Sequence, residues 1–196
     1  MNQLKLAAVG YPDTLDVTLS AACSRQMFIR CGPDCIATGC HGQCCDAPST
    51  PDGCLVTIHD NERQRIEARG GVVVAGMLKP ETFQRGCPFK VNGLCALHFT
   101  QDKPFGCIAS PFTLNASDRL IISNRYRMLP CYRHSGPKMP AYKSFRSSLV
   151  LLFGYDITEV IVDHLDAGGG DMVVPMPRSY YRIMTENKLA RQGAMR

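Results

Sequence analysis

Apolar side chains recur at helical spacing in the last third of the chain. Residues 141–153 carry them on one face and end at a glycine, which predicts a helix closed by Gly154 (Tyr142, Phe145, Leu149, Leu152). Asp156 can cap a second helix that continues to Leu165 and ends at the glycines 168–170. A short apolar segment at 172–174 follows. Pro177 then opens a third predicted helix, from Arg178 to about residue 192.

Upstream of position 136, apolar residues occur in short runs. Residues 31–54 are mostly Gly, Pro, Asp, Ser and Cys, and such a segment cannot bury enough apolar surface to order itself. Short strands are predicted at 55–58 and 120–122, and 86–112 has the composition of a loop. Asp60 is the predicted cap of a helix that ends near Arg69, with Glu62 and Glu67 on its surface.

These patterns predict an α+β fold made of two parts. Residues 1–135 are expected to form a small, loop-rich cysteine-cluster domain organised by metal. Residues 136–196 are expected to form a helical C-terminal region. Metal–thiolate bonds are the available means of ordering the polar loops of the first part.

Cysteine content is high, with 11 cysteines in 196 residues, and all of them lie between Cys23 and Cys131. A secreted disulfide scaffold is the competing interpretation. The odd number, the adjacent pair Cys44-Cys45 and the lack of a signal-peptide core at the start of the sequence all weigh against it. No apolar run approaches the roughly 18 to 20 residues of a membrane span. We therefore expect a cytoplasmic protein without a membrane segment, where clustered cysteines indicate metal or catalysis.

Two motifs concentrate the cysteines. The first is Cys31-x3-Cys35-x4-Cys40-x3-Cys44-Cys45, and the second is Cys87-x7-Cys95-x11-Cys107 followed by Pro111-Phe112. Close spacing allows one loop to turn several thiolates toward a common point, which makes the signal for metal binding strong. His41 and His98 are either additional ligands or ordinary loop histidines. Cys23 and Cys54 are interpreted as structural thiols.

The paired motifs resemble the cysteine-cluster family described as zinc- or iron-chelating, also called the CxxCxxCC or YkgJ-like family. The resemblance covers about residues 31–131, including Gly86-Cys87-Pro88-Phe89 and the Lys103–Phe112 block. It departs from the family pattern in its wider first spacings, in Lys103 where an arginine is usual, and in the extra Cys31. The resemblance implies eight metal ligands, with the choice between Cys31 and Cys35 left open: Cys35, Cys40, Cys44, Cys45, Cys87, Cys95, Cys107 and Cys131.

The resemblance also bears on the identity of the metal. Related domains occur in flagellin lysine methylases associated with a 4Fe–4S cluster, so an iron–sulfur cluster is favoured and zinc is the alternative. Eight cysteines exceed the four that one cluster or one tetrahedral zinc ion requires. Either two sites exist or some of the thiols are not ligands. Lys103 and Arg133 are predicted to offset the negative charge of the thiolates.

Residues from 118 onward carry the whole net charge of +5. Most of it lies in the region 119–146, which is either a surface for nucleic acid or an acidic partner, or a solvated face (Arg119, Arg125, Arg127, Arg133, Lys138, Lys143, Arg146). The expected function is that of a metal-binding accessory or interaction protein that engages a protein partner through its basic C-terminal surface. The alternatives are an enzyme with redox or methyl-transfer chemistry near the cluster and a structural zinc protein.

Overall fold

A computed structural model describes residues 4–5, 13–30, 42–45, 56–81, 86–98 and 100–193. Helices and strands are mixed along this part of the chain, and the α+β class is confirmed. Its helices are α1 (Ala22–Arg25), α2 (Asp60–Ala68), α3 (Phe105–Ala109), α4 (Pro130–Arg133), α5 (Ala141–Ser144), α6 (Arg146–Asp166) and α7 (Arg178–Gly193), with 3₁₀ helices at Gln43–Cys45 and Asn124–Met128.

The described strands are short except for two of six residues each. They are β1 (Leu4–Lys5), β2 (Thr14–Leu19), β3 (Met27–Phe28), β4 (Val73–Val74), β5 (Met77–Leu78), β6 (Lys90–Val91), β7 (Leu94–Cys95), β8 (Phe112–Leu114), β9 (Arg119–Ile122), β10 (Met139–Pro140) and β11 (Met172–Pro177). Five of these strands form one sheet in the order β1-β11-β2-β9-β8, and three antiparallel pairs stand apart from it: β3 with β10, β4 with β5, and β6 with β7.

The central pairing of the main sheet joins the two ends of the chain. Strand β11 runs antiparallel to β2 along its whole length, from Met172 opposite Leu19 to Pro177 opposite Thr14. On the other side of β11 lies β1, in parallel, and on the other side of β2 lies β9, also in parallel. The tail segment predicted as a short apolar piece at 172–174 is therefore an interior strand of the sheet.

The larger of two hydrophobic clusters lies on this sheet. Leu19 of β2, Leu120 of β9 and Met172 of β11 are fully buried, and the long helix α6 covers them with Leu149 and Leu152. The cluster contains buried residues from both the 1–135 and the 136–196 regions.

Helical boundaries in the tail follow the glycines and the proline. Gly154 has a φ of +78° inside α6, so the helical run is interrupted there as predicted. The helix resumes, ends at Asp166 and is followed by Gly168 with a φ of +76°. Helix α7 then begins at Arg178, directly after Pro177, also as predicted.

A smaller hydrophobic cluster surrounds helix α2 (Val56, Ile58, Ile66, Val73, Leu78, Phe89, Leu97). Here three local predictions are corrected. His59, not Asp60, is the N-terminal cap of α2. Thr57 forms an isolated bridge to Met77 where a strand was predicted, although residue 55 lies outside the described residues. Glu62, predicted on the helix surface, is only 5% exposed.

Among the described residues, no helix combines the length and the apolar character needed to cross a membrane.

Candidate metal centre

The first cysteine motif is described only at its end. Cys44 and Cys45 lie in the 3₁₀ helix that follows Gly42, and the Cys45 N–H donates to the Gly42 carbonyl at 2.8 Å. Gly42 has a φ of +67°, and a Cβ atom there would lie 2.6 Å from the carbonyl oxygen of Gly93. Only glycine combines this backbone angle with such close contact. Gly42 therefore packs the Cys44-Cys45 pair against the tip of the β6–β7 hairpin.

That hairpin belongs to the second motif and holds two of its cysteines. Asn92 and Gly93 form the turn with φ values of +51° and +80°, the combination that a tight two-residue hairpin turn requires. Cys95 pairs with Lys90 across the strands, and the Lys90 N–H donates to the Cys87 carbonyl at 3.0 Å. Cys87 and Cys95 are thus held at the base of one hairpin.

Cys107 comes from helix α3, which is fixed at both ends. At its start, the buried Glu62 carboxylate accepts from the Phe105 N–H, with 2.6 Å between Oε1 and N, while its other oxygen accepts from the His59 N–H at 3.1 Å. At its end, the Ser148 hydroxyl lies 2.6 Å from the carbonyl oxygen of Ile108. A buried carboxylate on α2 and a hydroxyl on α6 therefore hold the Cys107 helix in position.

Five of the eight predicted ligands are brought into one region by these elements. Cys87, Cys95 and Cys107 are half-buried and pack against the smaller hydrophobic cluster. Cys44 and Cys45 are also half-buried. Negative charge on Cys44, Cys107 or Cys87 raises the pKa of Cys45, so these thiols lie within electrostatic reach of one another. These five thiols are called the thiol group below.

Electrostatics within the thiol group favour a thiolate at Cys44 and protonated thiols at Cys45 and Cys107. A hydrogen bond from the Cys45 thiol lowers the pKa of Cys44 to about 6, against the effect of burial and with help from Arg125 and Lys103. The same hydrogen bond, burial and the neighbouring thiolates raise the pKa of Cys45 well above the ordinary range. Burial raises the pKa of Cys107 to about 12, and the charges of Cys87 and Cys95 add to this.

Burial is the main obstacle to having several thiolates here at once, and like-charge repulsion adds to it. A bound cation removes this repulsion, since metal binding releases the thiol protons and pairs each sulfur with positive charge. Lys103 and Arg125 lower the pKa of both Cys44 and Cys107 and so stabilise the thiolate form. Lys103 was expected in this role. Arg133 was expected to share this role, but the arginine that stabilises the thiolates is Arg125. The guanidinium of Arg133 lies 3.1 Å from the Met128 sulfur.

Soft sulfur donors of this kind fit an iron–sulfur cluster or zinc by their chemistry. In the part of the chain that the structure describes, however, no three His, Cys, Asp or Glu side chains are placed closely enough to hold a metal ion. The thiols are gathered in one region and do not converge on a single point. Cys35 and Cys40, together with Cys31, His41 and Cys54, lie outside the described residues.

The other residues singled out in the sequence lie in the larger hydrophobic cluster or, for His98, next to the ammonium group of Lys103. Cys131 is buried in helix α4 within the larger cluster, where its carbonyl accepts from the Ile29 N–H at 2.9 Å. His98 Nδ1 lies 3.1 Å from the Lys103 ammonium, and burial together with this charge lowers the pKa of His98. Cys23 is fully buried, and burial raises its pKa to about 12, as expected of a structural thiol.

Sequence patterns did not indicate two of the residues that shape this region. Glu62 occupies the third position of a helix beginning after His59, the position of a capping-box glutamate, and this spacing was available in the sequence. Tyr126 is buried beside Arg125, and burial raises the pKa of its phenol, with a further contribution from the Cys44 charge. No local signal distinguishes this tyrosine from an exposed one.

Comparison with known proteins gives no relative: no protein-family model matches the chain, and no curated protein or solved structure matches it significantly.

Proposed function

We propose that this protein binds a metal centre through cysteines of its two motifs and acts as an accessory or interaction protein. The observation that carries the proposal is the thiol group: five cysteines from three separate segments lie in one half-buried region beside two cations, Lys103 and Arg125. Buried free thiols are usually isolated apolar residues. Five of them within electrostatic reach of one another are typical of a binding site for a thiophilic metal.

The centre proposed is a 4Fe–4S cluster, with zinc as the alternative. This preference rests on the resemblance to the cysteine-cluster family, since sulfur ligands serve both. When bound, an iron–sulfur cluster supplies reversible one-electron chemistry. The proposed ligand set is that of the sequence motifs, in which Cys35, Cys40 and Cys131 join the thiol group. Cys131 is buried in the other hydrophobic cluster.

Residues around the thiol group have definite parts in this proposal. Lys103 and Arg125 offset the negative charge of the thiolates and of the centre they hold. Glu62 positions the helix that carries Cys107, and Gly42 permits the close contact that brings Cys44 and Cys45 to the hairpin. The half-buried setting limits water around the sulfurs, which tunes a cluster's potential and slows its loss.

Anaerobic purification with iron, sulfide and zinc analysis tests the proposal. We expect a brown protein with a broad absorbance near ~400 nm and iron matched by acid-labile sulfide. Cys44→Ser and Cys107→Ser are expected to remove the metal. Cys23→Ser is the matched control, because Cys23 is buried away from the thiol group, and it should keep the full metal content.

Two results decide between the alternatives. A colourless protein with stoichiometric zinc that depends on Cys44 and Cys107 would replace the cluster with a structural zinc site. Full metal content in both variants, or no metal in the wild-type protein purified without oxygen, would refute the ligand assignment.

A further inference from the structure

Positive charge in the second half of the chain is only partly neutralised within the fold. Between positions 119 and 155 the sequence contains no Asp or Glu, although Lys and Arg recur throughout. Three of these cations form ion pairs with carboxylates from later in the chain: Arg119 with Asp171, Lys143 with Asp166, and Arg146 with Glu159. The predicted basic surface is therefore smaller than the sequence indicates.

Three other cations have no carboxylate partner among the described residues. They are Arg127, Arg133 and Lys138, of which both arginines are exposed and the lysine is half-buried. The Lys138 ammonium lies 5.7 Å from the centre of the Tyr132 ring and donates a hydrogen bond to the Tyr132 carbonyl. The hydrogen-bond partner of the Arg133 guanidinium among the described residues is the sulfur atom of Met128.

These cations lie close together in the sequence, on two successive short helices and the segment that follows them, beside an exposed methionine. Met128 is 64% exposed, and the Arg133 Nη2 lies 3.1 Å from its sulfur. Arg125 and Met128 are three residues apart in a 3₁₀ helix, which places them on the same side. We name this surface the basic patch and define it by Arg125, Arg127, Met128, Arg133 and Lys138.

The basic patch borders the thiol group. Arg125 belongs to both, since its charge acts on Cys44 and on Cys107 while its 3₁₀ helix carries Arg127 and Met128. The following helix, α4, carries Arg133 and packs through Tyr132 against Phe28, with 5.1 Å between ring centres. The patch is therefore held on ordered elements anchored in the larger hydrophobic cluster.

We propose that the basic patch is the docking surface for an acidic surface of a partner protein. This inference rests on the proposed accessory role and gives the partner its chemistry: carboxylates arranged around an apolar side chain. Cations that the fold leaves without carboxylates are available to those of a partner, and such complementarity directs encounter and orientation. A partner bound here would contact the protein next to the thiol group.

Composition of the patch favours a protein over a nucleic acid as the partner. Arginine, methionine and tyrosine are enriched in protein interfaces, and an exposed methionine adapts to different partner shapes. Binding of single-stranded nucleic acid uses exposed aromatic rings on which bases stack. Two aromatic rings lie against cations of the described patch, Tyr126 against Arg125 and Tyr132 against Lys138; the first is buried and the second half-buried.

A binding measurement with two probes of equal charge tests the inference. The probes are a synthetic peptide of repeating Glu-Glu-Leu-Glu units and a single-stranded oligonucleotide, titrated into the purified protein at several salt concentrations. The protein is expected to bind the peptide more tightly, with affinity falling as salt rises. Replacing the three unpaired cations together, R127A/R133A/K138A, is expected to weaken peptide binding by about tenfold or more.

The matched control removes three cations that are already paired, R63A/R146A/R178A, and should change peptide affinity by less than about twofold. A single variant, Arg127→Glu, provides a test in which no side-chain hydrogen bond or ion pair among the described residues is lost, with circular dichroism to confirm folding. It should weaken peptide binding clearly.

Three outcomes would overturn the inference: equal loss of peptide binding in both triple variants, no peptide binding at all, or tighter binding of the oligonucleotide at every salt concentration. Metal content measured on the same samples separates this test from that of the metal centre. Patch-dependent peptide binding by a protein that holds no metal would refute the centre and leave the docking surface standing.

Discussion

Cys44 carries negative charge at neutral pH, because its pKa lies at about 6. The cause is local: Cys45 donates a hydrogen bond to it, and Arg125 and Lys103 lie near it. A thiolate is the form that binds metal and reacts with electrophiles. Cys44 is therefore expected to attach a metal sooner, and to be more reactive in the metal-free protein, than Cys45 and Cys107.

Alkylation of the metal-free, reduced protein by iodoacetamide measures this charge. The rate at Cys44 should rise as the pH passes through about 6 and level off above it, while an ordinary thiol rises through about 8.5. Cys23 and Cys107, whose pKa values burial raises to about 12, should remain unmodified at pH 8. Mass spectrometry of the digested protein assigns each site.

Substitution of the nearby arginine provides the control for that profile. Arg125→Ala should move the rise for Cys44 to higher pH, since the pKa increases when a neighbouring positive charge is lost. Arg127→Ala removes the same charge two residues away and should leave the profile unchanged. Identical profiles for both variants would contradict the assignment of Arg125 to the thiol group.

At the scale of elements, the Cys107 helix depends on another helix for its position. Helix α3 has only five residues, too few to be stable alone. The carboxylate of Glu62 on α2 accepts backbone N–H groups from both helix starts, those of His59 and Phe105. A buried carboxylate with such bonds is a rigid connector between the two elements.

Replacement of this connector should be costly. Glu62→Gln places an amide NH₂ where a carboxylate oxygen accepts one of the two N–H groups, so we expect a loss of about 1 to 3 kcal/mol in the free energy of unfolding. Reduced metal content should accompany it. Urea denaturation measures the stability, with Glu67→Gln as the control because Glu67 is on the same helix, 42% exposed and paired only with Arg63. That variant should lose less than about 0.5 kcal/mol; equal losses would contradict the role of Glu62.

Local sequence patterns predicted elements well where the cause of the element is local. The interruption at Gly154, the start of α7 after Pro177 and the strand at 120–122 follow from backbone preferences that each residue carries with it. The β6–β7 hairpin was missed although Asn92-Gly93 is a hairpin signal. The burial of Glu62 follows from the packing of α3 on α2, which periodicity within one helix does not show.

On the scale of the whole molecule, the two hydrophobic clusters differ in how they are stabilised. The larger cluster covers a five-stranded sheet with long helices. The smaller one has seven buried residues, and half-buried Cys87, Cys95 and Cys107 pack against it. A metal held by these cysteines would contribute to the stability of the smaller cluster directly.

Removal of the metal by chelation under reducing conditions should therefore affect the protein unevenly. Hydrogen exchange of backbone amides is expected to become faster in α2, the β4–β5 pair and the β6–β7 hairpin. Amides of β2, β9 and β11 should keep their protection, since their cluster includes no more than one member of the thiol group, Cys44. An even loss across both clusters, or no change in either, would contradict the proposed dependence.

The paired placement of β2 and β11 has a consequence for how the protein is made. More than 150 residues separate hydrogen-bonded partners such as Leu19 and Met172. A ribosome releases β2 long before β11, so the nascent chain presents the unpaired edge and apolar face of β2 for most of its synthesis. Such distant pairing also slows folding once the chain is complete. Until β11 is inserted between β1 and β2, these strands therefore keep exposed edges to which other chains can pair.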